Sequence, residues 1–162
     1  MKSNLINLVL SSDNSLTGLA LRIPAGITFA AHGAQKLFGA FGGYGLEGTG
    51  QWMASIGLEP GYLMALAAGS AEFIGGIALL LGLLVRPAAV VLAFTMLVAI
   101  FTVHIANGLF MSNNGYEFGL SLVAISVALA LNGAGAFSVD SLLTRNRSAV
   151  PGSSLNHSRT PA

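Results

Sequence analysis

The 162-residue chain has the length of one domain, yet only 8% of its residues are Asp, Glu, Lys or Arg, against about 25% in an average soluble domain. With a mean hydropathy of +0.75, it carries too little charge to cover a water-facing surface, so that surface is expected to meet lipid. A net charge of +1 with no basic run gives no support to nucleic-acid binding, and the absence of cysteine excludes disulfides, thiolate metal sites, iron–sulfur ligation and thiol relays.

In chain order, residues 1–15 hold an apolar run, Leu5 to Leu10, followed by Asp13 without a small-residue cleavage pattern; they read as a cytoplasmic lead and not as a signal peptide. Four apolar stretches follow, Leu16 to Phe38, Gly61 to Leu84, Pro87 to Gly108 and Glu117 to Phe137. Each has about the 20 residues that a hydrocarbon core of roughly 30 Å requires. The Gly-rich loop 39–60 ends at Glu59 and Pro60, Arg86 and Pro87 part the second stretch from the third, and Asn113, Asn114 and Gly115 precede the fourth.

Within that loop, Trp52, Met53, Ile56 and Leu58 recur at helical spacing and predict a helix over Gly48 to Leu58. Trp52 and Tyr44 would anchor it at headgroup level, with a substrate lid as the competing reading. The loop lacks the strand–turn–helix context of a dinucleotide fingerprint. Ala65, Gly69, Ala71, Gly75 and Gly76 are expected to be helix-packing notches on the second span. Asp140 is expected to cap or end a helix, and residues 144–162 read as a disordered cytoplasmic tail.

These elements predict an all-α fold, an integral membrane four-helix bundle over residues 16–143. Lys2, Arg22, Arg86, Arg145, Arg147 and Arg159 fall on one side of a four-span path and Lys36 alone toward the other. Both termini are therefore expected in the cytoplasm, in a multi-pass protein of the cell inner membrane. Arg22 lies just inside the first span, where its stem is expected to snorkel to the inner interface.

Ionisable groups within spans are costly unless they pair or face a polar cavity. The ones present, His32, Lys36, Glu72, His104 and Glu117, all fall in the outer half of this path, judged by about 1.5 Å of rise per residue. Lys36 lies four residues after His32 on one face, Gly33 leaves room beside them, and Asn107, Gln35 and Ser70 extend the polar lining. Three readings compete: a purely structural hydrogen-bonded network; a quinone pocket in which histidine and carboxylate exchange protons with the ring oxygens; and a metal or haem site on His32 and His104, weakened by the lack of a tight ligand motif.

The segments His32-Gly33-Ala34-Gln35-Lys36-Leu37, Glu72-Phe73-Ile74-Gly75-Gly76, His104 and Gly115-Tyr116-Glu117, with Gly133, Gly135, Ser138 and Asp140, resemble the DoxX family in their order along four helices. The likeness covers Leu16 to Leu143. It implies a four-helix inner-membrane protein of a group labelled as oxidoreductases, named after a subunit linked to quinone reduction, some of whose members are associated with soluble redox partners. By that resemblance His32, Glu72, His104 and Glu117 are the candidate proton-handling, catalytic residues. Lys36, their counter-charge, and Asn107 are the candidates for binding quinone; no metal site is assigned. The alternative is a non-catalytic membrane anchor or assembly factor for a redox complex. Neither the electron donor nor the oligomeric state is specified by the residues.

Overall fold

The computed structural model describes residue 10 and residues 15–148, with side chains to residue 144. Most of the expected lead 1–15, and residues 149–162 of the expected tail 144–162, lie outside the described residues, whereas residues 144–148 are helical and not the disordered start of that tail. Among the described residues there are helices and no strand.

Helix α1, Leu16–Phe38, coincides with the first predicted span. Its buried residues, Gly18, Arg22, Ala25, Gly26, Phe29, Gly33 and Ala34, recur at three- and four-residue steps and form one face. Gly39 ends the helix at φ 70°, its N–H turned back to the carbonyls of Ala34 and Gln35. Helix α2, Gly45–Ser55, lies in the loop. It begins before the predicted Gly48 and stops before Leu58, because the chain turns at Gly57 with φ 86°. Thr49, Gly50 and Met53 are buried, while Trp52 stays exposed.

Helix α3, Gly61–Leu81, ends at Gly82 in the left-handed region, short of the predicted Leu84. Helix α4, Val85–Ala99, runs on through a π turn, Ile100–His104, and a 3-10 turn, Ile105–Asn107. Helix α5, Glu117–Asn132, stops at Gly133 and not at the predicted Phe137. Helix α6 occupies Val139–Ser148.

Two segments, Gly61–Leu81 and Val85–Asn107, are long and apolar enough to cross a membrane. Only 33% and 22% of their most apolar stretches are buried within the molecule, and Ile74, Val90, Phe94 and Phe101 stand exposed. A soluble protein would bury such helices in its core. Of the four spans expected, α1, which contains Arg22 and Lys36, is long enough at 23 residues but not apolar enough, and α5 is apolar but has only 16 residues.

The long helices pack as neighbours in sequence, α1 along α3, α3 on α4 and α4 along α5, with α5 returning to α1. Small residues set the α1–α3 spacing: a Cβ on Gly76 would fall 2.9 Å from Ala30 Cα, and one on Gly69 would fall 3.2 Å from Lys36 Cβ. Gly75 faces the other way, against Leu92 of α4. The predicted notches thus serve two interfaces. Ala25, Phe29, Leu79, Val85, Ala89, Leu92, Leu122 and Leu129 form the apolar core between the helices.

At one end of the molecule the structure corrects the reading of Arg22. Its side chain is 1% exposed and does not reach for an interface. Nε donates to Ala134 O (3.0 Å), Nη1 to Leu79 O (3.0 Å) and Leu80 O (2.7 Å), and Nη2 to Ala136 O (3.3 Å) and Phe137 O (2.6 Å). A guanidinium has five N–H donors, and each finds a carbonyl. Those carbonyls close α3 and line the turn after α5, where helix termination leaves acceptors without partners.

Asp140 complements this clamp. Its carboxylate accepts from Leu84 N (2.8 Å) and Val85 N (3.0 Å), capping the start of α4, and its own N–H donates to Gly82 O (2.9 Å). The expected helix cap is present, but on a helix 55 residues away in sequence.

Candidate functional site

Towards the opposite end, α1 and α3 bring Lys36 and Glu72 together, Nζ to Oε2 at 2.5 Å. The close approach follows from Gly33, one turn before Lys36: a Cβ there would fall 2.6 Å from Phe73 Cα. This contact sets Glu72 level with His32 and Gly33 in the antiparallel pair. The Glu72 side chain is 3% exposed and that of Lys36 25%, so the carboxylate is enclosed while the ammonium keeps an outlet. Thr49 of α2 is buried beside the pair, its hydroxyl 3.5 Å from Lys36 O. Gln35 Nε2 lies 3.4 Å from Phe41 O in the loop.

His32 occupies the exposed side of α1, its ring centroid 6.3 Å from that of Phe118 on α5 in a tilted arrangement. This contact spans the return from α5 to α1. An imidazole next to an aromatic face, beside the half-buried Lys36 ammonium and the enclosed Glu72 carboxylate, combines a donor or acceptor for a polar group with a surface for a flat ring.

The remaining candidates serve the turn between α4 and α5. His104 Nδ1 lies 2.9 Å from Asn114 O, and Asn107 Nδ2 donates to the same carbonyl (3.2 Å) and to Val103 O (3.0 Å). A carbonyl can only accept, so Nδ1 carries the proton and the lone pair of a neutral ring belongs to Nε2. Glu117 Oε1 accepts from Met111 N at 2.6 Å. His104 is the last residue of the π turn, and such wide turns recur at functional sites.

The six sequence candidates therefore divide into Lys36 and Glu72 with His32 nearby, and His104, Asn107 and Glu117 around residues 108–116. Among the described residues no hydrogen bond or ion pair joins the two sets; Phe118, next to Glu117, is the link through its contact with His32. Among them, too, no three of His, Asp and Glu gather as a metal ligand set.

Sequence reasoning missed the clamp of Arg22 and Asp140. Burial pushes the Asp140 carboxyl pKa up, against the pull of the Val85 and Leu84 amides and of the Arg22 charge. A signal for Arg22 was present, since it shares a face with Gly18, Gly26 and Gly33, which mark close helix contact. Ser126 was also missed: its hydroxyl is fully buried in α5 and has no hydrogen-bond partner among the described residues.

Comparison with known proteins places the chain in a family. The DoxX family model matches residues 18–105, which include Arg22, His32, Lys36, Glu72 and His104. The chain is 38% identical over 111 residues to the Bacillus subtilis protein named "Putative oxidoreductase CatD", covering 68% of this chain and 76% of that relative. It is 37% identical over 133 residues to "Inner membrane protein YqjF" of Escherichia coli, covering 78% and 92%. An uncharacterized protein of Haemophilus influenzae is 34% identical over 127 residues, covering 74% and 85%. No solved structure matches. By its family match and these relatives, the chain belongs to the DoxX family.

Proposed function

We propose that the protein is a multi-pass inner-membrane subunit of a quinone-linked oxidoreductase, with α1, α3, α4 and α5 as a four-helix transmembrane bundle. Both termini lie in the cytoplasm, so the Arg22 clamp is at the inner end and the Lys36–Glu72 pair lies in the outer half. The relatives' printed names, an oxidoreductase and an inner membrane protein, agree with this reading. The lipid-facing surfaces of α3 and α4 supply the apolar surroundings that a quinone tail requires.

The observation that carries the reading is the Lys36–Glu72 pair beside His32 and Phe118. An aromatic ring entering sideways from the bilayer would lie against Phe118, with His32 at a ring oxygen and Lys36 and Glu72 behind it. Reducing a quinone to a quinol takes two electrons and two protons. A soluble redox partner supplies the electrons, while His32 and Glu72 bind the head group and relay protons. Lys36 holds the Glu72 carboxylate in place.

A second reading, a non-catalytic anchor or assembly factor, draws on the structural use of His104, Asn107 and Glu117 in the turn after α4. The two are separated by the quinone retained when the protein is purified in mild detergent. The pocket reading expects co-purified quinone in the wild type and at least a tenfold loss in His32→Ala and Glu72→Gln, each with unchanged helicity and partner binding. If wild type and variants carry the same trace of quinone and bind their partner equally, the anchor reading replaces it.

A further inference from the structure

We propose that α6 lies in the plane of the inner membrane interface and binds anionic lipid, in place of extending into the cytoplasm. The inference rests on the membrane reading above and concerns a different part of the molecule. The start of α6 is fixed: Asp140 is 1% exposed and bonds to Gly82, Leu84 and Val85, and Ser138 N-caps the helix by accepting from Ser141 N (3.2 Å). These bonds hold α6 against the ends of α3 and α4, at the level where the chain leaves the apolar spans.

Pinned there, α6 turns apolar side chains outward. Leu142 is 58% exposed and Leu143 41%, and Phe137 immediately before the helix is 82% exposed. An isolated surface leucine is ordinary, but these three sit on one short segment directly after the last apolar helix. At 3.6 residues per turn, positions 142 and 143 form an apolar arc and positions 145 and 147, both arginine, fall on its two flanks. Asp140, the sole acidic residue of the helix, is withdrawn into the clamp, so the remaining charge in the helix sequence is positive. An apolar arc flanked by cations is the pattern of a helix lying at a bilayer surface. Anionic headgroups of the inner leaflet complement those cations and attract them over about a Debye length.

The absence of cysteine makes the test direct. Single cysteines at Leu143 and, as a reference, at exposed Leu97 of α4 carry an environment-sensitive fluorophore in the full-length protein. The protein is reconstituted in vesicles of phosphatidylcholine with or without phosphatidylglycerol, and quenching by brominated lipids is read. The proposal expects quenching at 143 in the anionic vesicles, with Arg145→Gln/Arg147→Gln shifting the docked-to-undocked ratio by about thirtyfold. A label at 143 that is unquenched in both lipids while 97 is quenched overturns it. An unquenched label at 97 would instead defeat the membrane reading on which it rests.

Discussion

Removing one partner of the Lys36–Glu72 pair has different consequences depending on which goes, because Glu72 is enclosed and Lys36 is 25% exposed. Lys36→Met strands a buried carboxylate and is expected to cost about 3 kcal/mol. Glu72→Gln leaves an amide oxygen that can accept from Lys36, whose stem also reaches polar surroundings, so its cost is about 1 kcal/mol. Unfolding midpoints in one detergent would show the order, and equal losses would contradict it. Arg22→Lys offers three donors where five carbonyls are bonded. It is expected to destabilise by about 2 to 4 kcal/mol despite keeping the charge, and an unchanged midpoint would contradict the clamp. That Lys36 and Glu72 need partners was readable in the sequence, since charges in apolar spans must be satisfied. The bonds of Arg22 were not, because its acceptors are backbone carbonyls 57 to 115 residues away.

Helices α1 and α3 meet through glycines, so their interface responds to single methyl groups. Gly33→Ala places a Cβ 2.7 Å from Phe73 Cβ and must separate the helices, at a cost on the order of 2 kcal/mol. The midpoint is expected to fall together with quinone retention, whereas a variant as stable as wild type would show that the interface yields without loss. In the turn after α4, Glu117→Gln keeps an acceptor for Met111 N, whereas Glu117→Ala removes it. Amide exchange at Met111 is expected to quicken about tenfold or more only in the alanine variant; equal exchange would remove Glu117 from the turn. The periodic apolar face of α1 made its limits legible. The end of α5 was not, since residues 133–137 remain apolar while Gly133 and Gly135 turn the chain at φ 86° and 72° and Ala136 N binds Ser15 O at 2.9 Å. The π turn that ends at His104 likewise has no marker among Ile100 to Val103.

At the scale of the whole molecule, the clamp ties four helix ends together at one side, and the polar residues proposed for function lie towards the other. In the orientation proposed above, this arrangement suits a bundle that is rigid at its inner end and able to admit a ligand between α1 and α5 in its outer half. Its orientation predicts that single cysteines at Gln51 and Asn113 react with an impermeant maleimide from the outside of intact cells, while one at His157 reacts only after permeabilisation. Reaction of 51 and 113 from opposite sides would break the four-span arrangement. The most direct measurement of the central claim is photocrosslinking with an azido-quinone in native membranes, followed by peptide mapping. The account predicts label concentrated around His32 on α1 and Phe118 on α5, displaced by excess quinone and lost in His32→Ala. Label spread over the exposed face of α4 and indifferent to that substitution would contradict it.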